Sequence, residues 1–215
     1  MEYRNLPSPL PSDNLGDFGD FGSRIATVWS ELRPATRGLV QRALQAPVTA
    51  SQAMRNFHYD ARADLELSRF LAALDDRAAE KSEALDAETN GRLKSVADTC
   101  ASVLQEKTES AEVFAQLVRR ASSQRDYKRI DVLADALNAR FPPSEICELA
   151  RSEDKIVREL ANEALARCPI SVLTMLLNDP VDSDIARSAL RRQVVEYGSE
   201  EARHIVNALD AEELI

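Results

Sequence analysis

Apolar residues recur at spacings of three and four along most of the chain, as they do on the buried face of an α-helix. The first run of this kind contains Ile25, Val28, Trp29 and Leu32. Pro34 follows, and because proline fits the first turn of a helix, it predicts the start of a second helix. The apolar residues of that helix are Leu39, Val40 and Leu44, with Pro47 at its end.

The placement of proline and glycine agrees with a helical chain. The 94 residues from Val48 to Phe141 contain no proline and a single glycine, Gly91. Proteins built from β-strands need turn residues about every 8–12 positions. This gap therefore excludes a β architecture and predicts an all-α fold.

The longest periodic stretch predicts a helical hairpin over residues 49–121. Thr49 and Gln52 form a capping box at its start, and Asn90-Gly91 predicts the bend between its two arms. The apolar spacing slips near Lys107-Thr108, which indicates a second interruption. The first arm carries Met54, Phe57, Ala61, Leu65, Leu67, Phe70, Leu71 and Leu74, and the second carries Leu93, Val96, Ala97, Cys100, Val103 and Leu104.

Composition divides the chain into three regions. Residues 1–22 hold three of the nine prolines and three of the six glycines, so they predict a disordered tail. Residues 23–110 form the helical region with the hairpin. Residues 111–210 form helical repeats that end in a capping helix, started by Ser199 after the helix-ending Gly198.

The repeat is visible in three similar segments. "RIDVLADAL" at 129–137, "VRELANEAL" at 157–165 and "ARSALRRQV" at 186–194 are offset by 28 and then 29 residues. A shorter apolar segment precedes each of them, and polar turns lie between. A period of 20–50 residues made of two amphipathic helices is typical of an α-solenoid, in which each pair buries its apolar face against the next pair.

The segment "EDKIVRELANEAL" at 153–165 resembles the second helix of a HEAT repeat, which has an acidic turn, then Val-Arg, then alanines and Ala-Leu at three-residue intervals. Its matching residues are Asp154, Val157, Arg158, Ala161, Ala164 and Leu165. The next repeat keeps Asp179, Asp182 and Arg187 but has Leu190 in place of a small residue, and the first has Ile130 in place of the arginine. The resemblance covers roughly residues 111–197.

This resemblance implies a short HEAT-like α-solenoid with a protein- or peptide-binding surface. In such repeats the second helices line the concave surface, so the implied partner-binding residues are Arg158, Asn162, Arg187 and Arg191. The preferred function is therefore a non-enzymatic protein-binding or scaffold module whose partner is another protein.

Charge and cysteine content narrow the function further. The net charge of −9 disfavours general binding to nucleic acid or to anionic membranes. The chain has no secretory signal and no apolar stretch long enough to span a membrane, so we expect a cytoplasmic protein. Cys100, Cys147 and Cys168 lack the spacing of a zinc site, which predicts reduced, buried thiols.

No motif for catalysis or for a cofactor is present. The chain has two histidines, His58 and His204, and neither stands in a triad or a metal-binding pattern. We therefore expect no enzymatic activity, no cofactor and no metal.

Two alternatives remain open. A local basic segment could hold a phosphate backbone, or its cations could pair with Glu148, Glu153, Asp154 and Asp184 instead. The apolar stripes at 65–74 and 93–104 could also pair across a homodimer rather than within a hairpin. The residues of the basic segment are Arg119, Arg120, Arg125, Tyr127, Lys128 and Arg129.

Overall fold

The computed structural model describes residues 18–45, 59–80 and 85–212 of the chain, and no β-strand occurs in these ranges. The prediction of an all-α fold is confirmed. The predicted capping box at Thr49 and the residues Met54 and Phe57 lie outside the described ranges. No helix of the described residues is long and apolar enough to cross a membrane.

The described residues form a short 3-10 helix at Gly19–Phe21 and eleven α-helices, and the chain divides into two compact units, Met1–Thr108 and Glu109–Ile215. In the first unit the helices are α1 (Ser23–Glu31), α2 (Pro34–Gln45), α3 (Ala61–Ala79) and α4 (Ala87–Lys107). In the second they are α5 (Ala111–Ser123), α6 (Tyr127–Arg140), α7 (Pro143–Ala150), α8 (Lys155–Ala166), α9 (Ile170–Leu176), α10 (Ser183–Tyr197) and α11 (Glu200–Glu212).

An aromatic cluster forms the centre of the first unit. The ring of Phe18 lies 4.5 Å from that of Trp29 and 5.6 Å from that of Phe70, measured between centroids. Trp29 and Phe70 are 5.2 Å apart. Phe21 is 1% exposed, and its carbonyl oxygen accepts a hydrogen bond from Nε of Arg77 at 3.0 Å.

The prediction of a disordered tail over residues 1–22 is wrong for residues 18–22. The prediction used the average composition of 22 residues, which does not register the effect of two phenylalanines. Phe18 and Phe21 suffice to hold this short segment against the core. Gly22 lies directly before α1 with φ of 111°, a conformation that side chains with a Cβ rarely adopt. The chain can therefore turn from the 3-10 helix into α1 at this point.

The predicted hairpin is present in a shorter form, as α3 packed against α4. The bend does not lie at Asn90-Gly91, because both residues are inside α4. Asp86 caps that helix instead, and its carboxylate accepts the N–H of Thr89 at 2.9 Å. The interruption predicted near Lys107-Thr108 is confirmed, so residues 111–121 belong to α5 and not to the hairpin.

The second unit consists of three consecutive helix pairs and a final helix. The pairs are α5 with α6, α7 with α8, and α9 with α10, and the second helices pack on one another in the order α6, α8, α10. Buried alanines and leucines occur on these helices, Ala161, Ala164 and Leu165 among them. Gly198 ends α10 in the left-handed conformation with φ of 64°, as predicted.

Three aspartates precede the second helices at intervals of 28 residues. Asp126 caps α6 through the N–H of Arg129, and Asp154 caps α8 through the N–H groups of Ile156 and Val157. Asp182, before α10, has no capping hydrogen bond and instead accepts a hydrogen bond from the guanidinium of Arg151. One turn of the stack is thereby joined to the next.

Candidate binding face

The outward side of α8 forms one wall of an open groove, and α10 contributes Arg192 to the other wall. The groove has a volume of about 390 Å³ and is lined by Lys155, Ile156, Glu159, Leu160, Glu163 and Arg192. We call it the α8 groove. The buried side of α8 carries Val157, Ala161, Ala164 and Leu165. Because of the helical period, Ile156 lies on the opposite side of the helix and Leu160 lies at the margin between the two sides.

Hydrogen bonds fix the α10 wall of the α8 groove. Arg192 donates to Glu163 at 2.9 Å and to Glu196 at 2.6 Å, and these carboxylates hold the pKa of its guanidinium above the ordinary value. The hydroxyl of Tyr197 donates to the other oxygen of Glu163 at 3.1 Å, and that oxygen also pairs with Arg167. Glu163 therefore has two cationic partners, Arg167 and Arg192, and one hydroxyl donor.

The apolar part of the groove is open to solvent. Ile156 is 39% exposed and Leu160 is half-buried. Glu159 lies between them in sequence and is exposed, and neither it nor Lys155 has an ion pair among the described residues. An aliphatic floor with charged margins can take up an apolar side chain of a partner and fix its orientation through the margins.

The four residues predicted as partner contacts have different environments. Nη1 of Arg158 donates to the carbonyl oxygens of Ser152 and Glu153 at 2.8 and 3.3 Å, so this arginine closes the turn before α8. Asn162 and Arg187 are half-buried.

Arg191, the fourth, pairs with Asp210 at 2.7 Å, which ties α10 to α11. None of these four residues lines the α8 groove. Arg158 lies on α8 and Arg187 and Arg191 lie on α10, the helices that form the groove, but on other sides of them. In a repeat, the residues that match its pattern serve the contacts between its own helices.

The residues of the predicted basic segment differ in their exposure. Arg119, Arg125 and Lys128 are exposed, and Tyr127 is 68% exposed. Arg120 is buried within α5, where it donates to Gln124 at 3.3 Å, so it does not reach solvent as that hypothesis required. Arg129 is half-buried.

Nor do the neighbouring arginines extend the basic segment as a free stripe. Arg151 pairs with Asp182, Arg192 pairs with Glu163 and Glu196, and Arg158 binds its own turn. Cross-repeat pairing was expected, although the partners Asp182, Glu163 and Glu196 differ from the predicted acids Glu148, Glu153, Asp154 and Asp184.

Partly buried polar groups of the first unit form a network around the start of α3. Arg33 donates to both oxygens of Asp60, at 3.0 and 2.7 Å, and to Glu66 at 2.9 Å. Asp60 also caps α3 by accepting the N–H of Ala63 at 2.8 Å. These bonds fasten the junction of α1 and α2 to the first turns of α3.

The carboxyl of Glu66 is held in its ionised form. Partial burial raises its pKa, but hydrogen bonds from the hydroxyl of Thr36 and the N–H of Arg33 outweigh that effect, so the pKa is lowered. Asp64, two residues earlier in the sequence, accepts hydrogen bonds from the hydroxyls of Tyr59 and Thr108 at 2.5 and 2.8 Å. Burial, and next the bond to Asp64, raise the pKa of Tyr59. Every acceptor here already has a donor, so the network is structural.

All three cysteines are buried free thiols, as predicted. Burial raises the pKa of Cys147 to about 12 and also raises that of Cys168, which makes both poor nucleophiles and poor metal ligands. Within the described ranges, no group of three or more His, Cys, Asp and Glu residues lies where it could hold a metal ion.

Comparisons with family models, with curated proteins and with solved structures find no match to this chain. Function is therefore inferred from the geometry of the α8 groove and of the surfaces around it.

Proposed function

We propose that this chain is a non-enzymatic protein-binding module whose second unit acts as a HEAT-like scaffold. The observation that carries the proposal is the α8 groove, where exposed Ile156 and half-buried Leu160 lie on a helix that is otherwise held firmly in the stack. Apolar side chains in a groove with a polar margin are typical of a surface that binds another protein.

The rigidity of the groove supports this proposal. Asp154 caps α8, Arg158 closes its preceding turn, and Arg192 is fixed by two carboxylates. A partner would therefore lose little affinity to the ordering of the site. We place this activity in the cytoplasm, where the free thiols of the three cysteines would stay reduced.

The groove gives a direct test by substitution. The full chain, attached to a resin, is used to isolate proteins from a native lysate, and each retained protein is then purified and its affinity for the chain measured. We expect Ile156→Asp to weaken the specific complex at least tenfold. An aspartate in the first turn of α8 is compatible with the helix, so the variant should fold.

Met175→Asp is the matched control, because Met175 is 67% exposed on α9, a first helix of the stack. We expect it to change the affinity less than twofold. A partner whose affinity is insensitive to Ile156→Asp, or equally sensitive to both substitutions, would show that binding does not use the α8 groove.

The alternatives have less support. The stripes at 65–74 and 93–104 pack against each other within one chain, and Leu67, Phe70, Leu71 and Leu74 are fully buried, so little of either stripe is left for a second copy. For nucleic-acid binding, the burial of Arg120 and the separate pairing of the other arginines leave Arg119, Arg125 and Lys128 as exposed cations.

A further inference from the structure

The residues that line the α8 groove have counterparts on α6 in a repeated sequence. Asp131, Val132 and Asp135 on α6 precede Glu159, Leu160 and Glu163 on α8 by 28 residues, which is the offset of the repeat itself. Since α6 and α8 are equivalent helices packed side by side, equivalent positions face the same way. The two helices thus present two copies of an acid, an aliphatic residue and a second acid.

These copies are accessible. Val132 is 51% exposed, and Asp131, Asp135 and Glu159 are all exposed. The motif ends at α10, where the position equivalent to Glu163 is Arg192, the residue that neutralises Glu163. The acidic aliphatic surface is therefore confined to α6 and α8, and we call it the α6–α8 face.

Carboxylates predominate among the unpaired charges near the middle of this face. Asp131, Asp135 and Glu159 make no ion pair within the described part of the chain, although Arg192 lies within electrostatic reach of Glu159. Arg158 and Arg192 are both used in internal contacts. The two lysines on the face, Lys128 and Lys155, lie in the first turns of their helices. The second unit as a whole has 20 acidic and 14 basic residues, so the electrostatic field around this face is also negative.

We propose that the α6–α8 face binds an amphipathic helix of a partner protein, with apolar residues on one side and lysine or arginine residues along its edges. This inference rests on the proposed function and adds the chemistry of the partner. Packed helices lie about 8–10 Å apart. Residues i and i+7 of a helix are separated by about 10.5 Å along its axis.

A helix that crosses α6 and α8 can therefore place one apolar residue on Val132 and another in the α8 groove. Residues i+3 and i+4 would lie between these two anchors, as in other complexes of a helix with a groove. Lysine or arginine residues beside the anchors would reach Asp131, Asp135 and Glu159. These pairs are close to water, so the affinity should fall as salt is added.

The test uses the full chain and two labelled 18-residue peptides. Both have leucines on one side of the helix. All remaining positions are lysine in one peptide and glutamate in the other. We expect fluorescence anisotropy to show binding of the lysine peptide, with at least tenfold weaker binding of the glutamate peptide. Equal binding of the two peptides, or no binding of the lysine peptide, would overturn the inference.

Neutralisation of the carboxylates separates local recognition from the general attraction of an acidic protein. The triple variant Asp131→Asn, Asp135→Asn and Glu159→Gln should lose at least tenfold in affinity for the lysine peptide. The control triple, Glu112→Gln, Glu148→Gln and Glu153→Gln, removes the same charge from exposed positions elsewhere in the unit and should change the affinity less than threefold. Equal losses in the two triples would contradict the inference.

Ile156→Asp distinguishes this inference from the proposed function. If the glutamate peptide binds preferentially and Ile156→Asp abolishes its binding, the groove is a docking site but the partner is not basic. If the lysine peptide binds and neither Ile156→Asp nor the first triple weakens it, the α6–α8 face is not the site. The lysate experiment with Ile156→Asp and Met175→Asp decides the proposed function separately.

Discussion

Each of the two units of this protein is stabilised internally by a different kind of contact. In the first unit, four aromatic residues and one polar network join segments that are far apart in the sequence, such as Phe18 with Phe70 and Arg33 with Glu66. In the second unit, alanines, leucines and capping aspartates recur at the repeat interval, and most contacts join neighbouring helices. We infer that stability is concentrated in a few residues of the first unit and distributed along the second.

The aromatic cluster offers the sharpest test of this difference. Phe70 is fully buried and contacts both Phe18 and Trp29, so Phe70→Ala removes the ring at the centre of the cluster. We expect a loss of about 3–5 kcal/mol in the free energy of opening for amides of α3 and α4. Hydrogen exchange measured by mass spectrometry on the full chain provides this value, and a loss below about 1 kcal/mol would show that stability is not concentrated there.

The polar network gives the next largest effect. We expect Glu66→Gln to destabilise the first unit by about 1–3 kcal/mol at neutral pH, because it removes a charged acceptor from Arg33 and Thr36. The pKa of Glu66 is lowered in the folded chain, so its contribution is complete above the ordinary value of 4.5 and disappears as the pH falls through the folded-state pKa.

Urea unfolding of the wild type and of Glu66→Gln, compared between pH 7 and pH 3, measures this dependence. The difference in stability between the two proteins should narrow as the pH is lowered, since protonation of Glu66 in the wild type gives a neutral side chain, like the amide that the variant carries at every pH. A difference that stays constant over this range would mean that the ionised carboxyl does not stabilise the fold.

A cap in the second unit should have a smaller and more local effect. Asp154 accepts the N–H groups of Ile156 and Val157 at 2.9 and 3.2 Å, so Asp154→Ala should cost about 1 kcal/mol. Asp126→Ala, which removes a single bond at 3.1 Å, is the matched comparison and should cost less. Equal exchange protection at the start of α8 in wild type and Asp154→Ala would contradict the role of the cap.

The regular half of the molecule was the more predictable from sequence. Its helix pairs follow from apolar spacing, and the ends of its helices follow from Pro143, Pro169 and Gly198, because these residues restrict the backbone locally. The first unit was predicted less well. Gly91 weakens a helix only by about 1 kcal/mol, and the packing of α4 on α3 outweighs that cost.

Long-range pairs explain what the sequence did not reveal. Nothing local links Arg33 to Glu66, or Phe18 to Phe70, because no periodicity connects residues that meet only after folding. The same reason applies to the candidate site. Arg158 and Arg191 looked available in the sequence, and only the fold shows that Arg158 donates to two turn carbonyls and that Arg191 pairs with Asp210. The 28-residue offset from Asp131 to Glu159 was the signal that could have identified the α6–α8 face.

The smallest effect is expected for Arg191→Ala, on the surface of the second unit. The side chains of Arg191 and Asp210 are 52% and 47% exposed, so water already solvates much of their charge and their 2.7 Å contact stabilises little. We expect a change in unfolding free energy below about 0.5 kcal/mol in urea, with no change in the exchange of α11 amides. Apolar contacts would then hold α11 in place, Ala202 among them, since this alanine is fully buried. A loss above 1 kcal/mol would instead mean that one exposed ion pair keeps the last helix on the stack, and stability in the second unit would then be less distributed than its repeated contacts imply.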